Sequence, residues 1–240
     1  NSGRLKVRIK VRNRPKLVRL VVAAKGPHAR TVSGTKQFRV RPRTAFRSVL
    51  FIGNSLTYYN NLPKMFSALV ASGGNSVVAG MDATSGASLA DHTRSAGTSA
   101  KLAQGWDLVV LQETSPVASD ARRAESQMLP AAVKLATKAR RAGGQALLYE
   151  TWAYDDSDYS AMQKRLESSY LGVSDRISAS VVPVGRAWSK LVAAGGSGLW
   201  HSDGNHPTAY GTYVAACTFY AAILDASPVG LPYRAGLSKA

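Results

Sequence analysis

One hydroxyl, one imidazole and one carboxylate in this sequence have the types and spacing to do chemistry together. The run Val49-Leu50-Phe51-Ile52-Gly53-Asn54-Ser55-Leu56 takes an apolar strand into a tight polar turn. A strand-to-helix turn lifts a serine hydroxyl clear of the sheet and leaves backbone N–H groups around it, which suits Ser55 to nucleophilic attack. Far along the chain, Asp203-Gly204-Asn205-His206-Pro207-Thr208 precedes the last helical stretch. Pro207 suits a first helical position, so His206 is expected at a helix start with Asp203 three residues before it. A carboxylate there can accept the Nδ1 proton, fix the tautomer and leave Nε2 as a base toward Ser55. Singly, each half also reads as a turn with a helix cap. Together they point to acyl transfer.

Such residues need a scaffold that brings distant turns together. Ser48–Gly53 is a continuous apolar run, as expected of a buried parallel strand. Further strands are expected over residues 76–81, 107–112, 145–150 and 178–184. Helical patterns fall between them at 62–72, 87–103 (in part), 121–142, 159–171 and 187–194, and a last helix spans 207–226. Pro130 is expected to kink or restart the 121–142 helix. Five strands alternating with helices predict an α/β fold. Its form is a flavodoxin-like three-layer α/β/α with a five-stranded parallel sheet, whose functional loops lie at the strand carboxyl ends.

With those residues and elements in place, the chain resembles the SGNH hydrolase family, the GDSL-like esterases and lipases, over about residues 48–226. Gly53-Asn54-Ser55-Leu56 stands where many members read Gly-Asp-Ser-Leu, and Asp203 with His206 resembles the last family block. The resemblance implies a Ser-His-Asp triad of Ser55, His206 and Asp203. It also implies an oxyanion hole from the N–H groups of Ser55 and Gly86, the latter within Thr84-Ser85-Gly86-Ala87. The third family block carries Asn at a strand end, where this chain has Gln112, whose amide is one methylene farther out. A subset with Trp-Asp before that strand (Trp106, Asp107) and Gln at its end is closer still. The implied activity is hydrolysis of an O-acyl ester, short-chain such as acetyl and carried by a carbohydrate, with no metal and no cofactor. A lipase or thioesterase on the same fold, and a non-catalytic polysaccharide-binding protein, are the competing readings.

Other polar residues leave two readings open. Asn54, His92 and Trp152 are candidate substrate contacts, with His92 read rather as a helix-surface or packed side chain and Trp152 equally readable as packing. Tyr154 is read as pocket wall or packing, and His201 as loop packing. Glu113 reads as an orienting or a solvated acid. Asp155, Asp156 and Asp158 read as a solvated turn rather than a calcium loop. Cys217 is the single cysteine among 240 residues, so no intrachain disulfide forms, and a small buried thiol is expected.

Charge divides the chain. Residues 1–47 hold 15 Lys and Arg and no acid, whereas the rest is close to neutral. Arg4-Leu5-Lys6-Val7-Arg8-Ile9-Lys10-Val11-Arg12 alternates cations with apolar residues, the period of a strand. Further strands are expected at 17–24 and 31–41, with a turn at Gly26-Pro27 and a hinge at 42–44. Residues 1–43 therefore read as a basic β segment, loosely like the end of an immunoglobulin-like or fibronectin-like domain, and 44–240 as the hydrolase domain. The cations suit either a soluble strand face that Lys and Arg protect from edge aggregation, or a polyanion or cell-wall polymer contacting residues 4–43. Nucleic acid is disfavoured because aromatics for base stacking are scarce there. No run is apolar enough to span a bilayer and no signal-peptide pattern is visible. A soluble protein, secreted or at the cell surface, is expected.

Overall fold

The computed structural model describes residues 16–24, 32–40 and 46–237. The chain divides into two compact units, residues 1–45 and 46–240. In the first, β1 (Lys16–Ala24) and β2 (Val32–Val40) pair antiparallel, from Lys16 opposite Val40 to Ala24 opposite Val32. The strand expected at 4–12, the Gly26-Pro27 turn and the 42–44 hinge lie outside the described residues.

The second unit is built on five parallel strands: β3 (Ser48–Gly53), β4 (Val78–Ala83), β5 (Leu108–Leu111), β6 (Gln145–Glu150) and β7 (Ser180–Pro183). Their order is β4-β3-β5-β6-β7, with every neighbouring pair parallel. Helices fill the connections. After β3 come α1 (Ser55–Tyr58) and α2 (Leu62–Ser72), and after β4 come α3 (Leu89–Arg94) and α4 (Ala96–Ala103). The β5–β6 crossover holds α5 (Ser115–Ala118), α6 (Ala121–Arg123) and α7 (Leu129–Arg141). Then α8 (Tyr159–Ile177) precedes β7, and α9 (Val184–Ala193) and α10 (Ala209–Leu224) follow it. This is the three-layer α/β/α architecture expected.

Strand alternation sorts the apolar side chains into two cores. Leu50, Ile52, Val109, Leu111 and Leu148 face one layer with Leu135 of α7 and Leu166 of α8. Val49, Phe51, Leu108, Val110 and Tyr149 face the other, with Phe66 of α2, Trp188 of α9 and Phe219 of α10. Burying both faces of a strand is what makes β3 and β5 read as unbroken apolar runs. Edge strand β4 is only partly buried, so its pattern is weaker, and it lies two residues later than expected.

Three other differences have local causes. Helix α8 runs on to Ile177 because its apolar stripe continues through Tyr170 and Val173. The 121–142 helix is interrupted by a π-turn at Ala124–Met128, just before Pro130. That wide turn accommodates a residue with no N–H to donate. The last helix starts at Ala209 rather than Pro207, because Thr208 caps it by accepting the Gly211 N–H at 3.1 Å. Pro207 instead bridges Trp200. Among the described residues no helix is long and apolar enough to cross a membrane.

Gly211 lets α10 close on the loop before it. A Cβ there would lie 2.3 Å from the Leu199 carbonyl oxygen and 2.7 Å from the Trp188 ring. Overpacking of this kind costs about 1–3 kcal/mol. Gly211→Ala is expected to lower unfolding free energy by that amount in urea titration. Gly172→Ala, on a helix position with nothing within 4 Å, is not.

Candidate active site

The serine turn is held by side chains that cross the sheet end. Asn54 caps α1, its Oδ1 accepting the Leu56 N–H at 3.1 Å, while its Nδ2 donates to the Ala87 carbonyl at 3.1 Å. Gln112 lies beneath this turn. Its Oε1 accepts from the Asn54 N–H at 2.8 Å and from the Thr57 hydroxyl at 2.9 Å. Gly53 is required there, since a Cβ would stand 2.3 Å from that oxygen. Ser55 follows as the first residue of α1, 9% exposed.

The imidazole arrives on a loop anchored from several sides. Trp152 Nε1 donates to the Asn205 carbonyl at 2.9 Å, and the His201 N–H to the His206 carbonyl at 2.8 Å. Asn60 Nδ2 donates to the Pro207 carbonyl and to Thr212 Oγ1, both at 2.9 Å. Tyr59 stacks its ring on His206, centroids 4.3 Å apart and planes 16° from parallel. The loop thus brings His206 Nε2 within 2.9 Å of Ser55 Oγ. On the other side, His206 Nδ1 lies 2.6 Å from Asp203 Oδ2. Asp203 Oδ1 also accepts the N–H groups of Asn205 and His206. The hydrogen bond from the His206 side chain, followed by these backbone bonds, holds the Asp203 carboxyl well below the usual carboxylate range. An ionised Asp203 makes Nδ1 the donor, which leaves Nε2 free to accept from a hydroxyl.

Ser55 opens onto a cavity of about 320 Å³, lined also by Asn54, Gly86, Thr114, Tyr154 and Asn205. Gly86 adopts φ of +66°, a left-handed conformation that favours glycine and turns this loop toward the serine.

The chain matches no protein-family model, and no curated protein matches it. Solved structures do. A protein from Slackia heliotrinireducens assigned to the SGNH hydrolases is 27% identical, with a TM-score of 0.62, covering 72% of this chain and 97% of its own. In fold and by this relative the chain is similar to the SGNH hydrolases. That likeness supports a hydrolase of carboxylic esters. A DUF4886 family protein from Bacteroides uniformis is 20% identical, with a TM-score of 0.66 over 78% of this chain and 86% of that one. An acetyl xylan esterase from Geobacillus stearothermophilus is 12% identical, with a TM-score of 0.60 over 74% and 94%. These two speak to the fold.

Several residues sit otherwise than expected. Gln112 is fully buried, and its Nε2 donates to the Glu113 carbonyl at 2.7 Å, so its amide supports the serine turn instead of reaching the oxyanion. His92 is 3% exposed and is a packed residue, not a substrate contact. Its Nε2 lies 2.8 Å from the Gly53 carbonyl and its Nδ1 3.0 Å from Thr98 Oγ1. Trp152 is likewise buried, stacked on Trp188 at 3.9 Å, and carries the His206 loop rather than lining the pocket. Glu113 is not a solvated acid; it is buried, accepting the Thr114 N–H at 2.7 Å. Cys217 is only partly buried. Asp158 pairs with Arg165, and among the described residues no three metal-binding side chains converge. Trp106 and Asp107 lie at the far end of the sheet, where Asp107 Oδ2 accepts the N–H groups of Arg47 and Ser48. Tyr59 and Asn60 went unread. The available signal was Tyr59-Asn60-Asn61 directly after the serine helix, with both asparagines in left-handed conformations that this residue type tolerates.

Two outcomes follow from these buried polar groups. Gln112→Leu strands the Asn54 N–H and the Thr57 hydroxyl, and should cost about 2 kcal/mol or more of stability, read by urea titration. Burial pushes the Glu113 carboxyl up to about 7, against the N–H bonds from Thr114 and Leu89 that favour its ionised form. Burial likewise raises Glu150 to about 7 despite its ion pair with Arg186. The folded state therefore binds more protons than the unfolded chain between the ordinary glutamate range and 7, so stability falls as pH rises through that window. Glu113→Gln should flatten the fall of melting temperature between about pH 5 and 8, leaving the Glu150 share.

Proposed function

We propose that this protein is an SGNH hydrolase, a serine esterase that removes a short O-acyl group, acetyl being the simplest, from a carbohydrate. The observation that carries the reading is the 2.9 Å contact between Ser55 Oγ and His206 Nε2, backed at 2.6 Å by Asp203. Ser55 Oγ attacks the ester carbonyl as Nε2 takes its proton, and Asp203 holds the tautomer and steadies the imidazolium. The Tyr59 ring, stacked on that imidazole, presents its π face to the forming positive charge. The tetrahedral oxyanion is held by the N–H groups of Ser55 and Gly86, each such donor being worth about 3 kcal/mol in the transition state. The imidazolium then gives its proton to the departing alcohol, and water, activated by the same nitrogen, releases the acyl group from Ser55.

A cavity of about 320 Å³ favours a short acyl group, and Tyr154 beside Thr114 and Asn205 offers the aromatic and polar wall that a sugar uses. In this reading the basic residues within 4–43 hold the enzyme against an anionic polymer outside the cell or at its surface. A lipase or thioesterase would need a longer apolar trough, whereas Leu56 and Pro116 are the apolar side chains of this lining.

The test is a 4-nitrophenyl ester series on wild type and Ser55→Ala. Wild type should cleave best at two carbons, and Ser55→Ala should lose about 10⁴-fold or more in kcat. An optimum beyond eight carbons would favour the lipid reading, and equal turnover by Ser55→Ala would end the esterase reading.

A further inference from the structure

The cavity beside Ser55 carries two features that ester cleavage alone does not require. Its lining contains a single charged side chain, Arg123, at the end of α6, and no carboxylate. Arg123 Nη1 donates to the Pro116 carbonyl at 3.3 Å. No carboxylate forms an ion pair with it among the described residues. Asp120 is close enough to feel its charge, but accepts the backbone N–H groups of Arg122 and Arg123 as a turn cap. A guanidinium left without a counter-ion at the mouth of a reaction cavity is a ready partner for a planar anion.

The second feature is Ser115. It lines the same cavity, is 3% exposed, and its Oγ has no hydrogen-bond partner among the described residues. Buried hydroxyls are nearly always satisfied, and one that is not costs stability unless a ligand completes it. Thr114 caps α5 and Ser115 is its first residue, with Gln112 and Glu113 linking them to β5, so this hydroxyl stands near the serine turn.

We propose that Arg123 and Ser115 form a subsite for a carboxylate carried by the substrate, so that this enzyme prefers esters bearing an anionic group close to the scissile bond. The inference rests on the esterase reading above and narrows its substrate class to acidic esters. The carboxylate belongs either to the acyl group, as in a dicarboxylic half-ester, or to the alcohol, as in an acylated uronic acid. Both present the same planar anion to Arg123.

Two matched pairs of small substrates test this without engaging the basic segment as a polymer would. The first pair is 4-nitrophenyl hydrogen succinate against 4-nitrophenyl butyrate, and the second is O-acetylated glucuronic acid against O-acetylated glucose. In one pair the charged member should have the higher kcat/KM, by about ten-fold or more, and that pair identifies which side carries the anion. Arg123→Gln should erase the preference, Arg123→Lys should keep part of it, and Arg122→Gln, an equal change of net charge one residue away, should keep it. Ser115→Ala should lower kcat/KM for the charged member while leaving the melting temperature unchanged or raised, because it removes an unsatisfied buried hydroxyl. A preference absent from both pairs, surviving in Arg123→Gln, or indifferent to Ser115→Ala overturns the subsite. Wild type that cleaves the neutral esters without any charge preference defeats the subsite alone. Wild type inert on all four defeats the esterase reading itself.

Discussion

The contact between Ser55 and His206 joins residues 151 positions apart, and most polar groups around the site keep that one distance short. Two anchoring systems meet there. On the serine side, Gln112 and Asn54 fix a turn at the end of β3, a buried strand flanked by β4 and β5. On the histidine side, a loop with no regular structure is tied down by Trp152, Asn60 and its own backbone bonds to the 199–201 segment. Loops that carry reacting groups need this over-determination, because an imidazole displaced by one ångström no longer shares a proton with its hydroxyl.

The tryptophans show how the apolar core serves that polar constraint. Trp152 and Trp188 stack face to face, and Trp200 meets Trp188 edge-on. Each of the outer two also spends its indole N–H on a loop: Trp152 on Asn205, Trp200 on Ala153. A rigid aromatic stack thereby becomes the floor on which the His206 loop rests. Buried volume gives the stack its stability, and two indole donors give it direction.

Much of this was legible in the sequence. The period of apolar residues identified all five parallel strands, because β3 and β5 are buried on both faces and leave no polar positions to confuse the pattern. The serine turn and the Asp-x-x-His segment were legible because few residue types do their chemistry. What was hidden was direction. Gln112 carries an amide that suits an oxyanion donor, yet its side chain folds under Gly53 to the serine turn, and only the packing of two neighbouring strands decides that. His92 and Trp152 look like site residues by type and proximity in sequence, but the helix and loop that carry them turn inward. Tyr59 carries no mark of its role in the sequence, since its partner His206 lies 147 residues away.

The π-turn at Ala124–Met128 has a consequence for the geometry of the cavity wall. One surplus residue in a helix advances every later side chain by about 100° relative to regular winding. The segment before the turn is therefore freed from the phase that α7 must keep to bury Leu135 against the sheet. Arg123 can look into the cavity while the helix it leads into looks into the core. The widened turn works like a slipped gear tooth between two wheels, letting one continuous stretch of chain obey the packing of the interior at one end and face the cavity at the other.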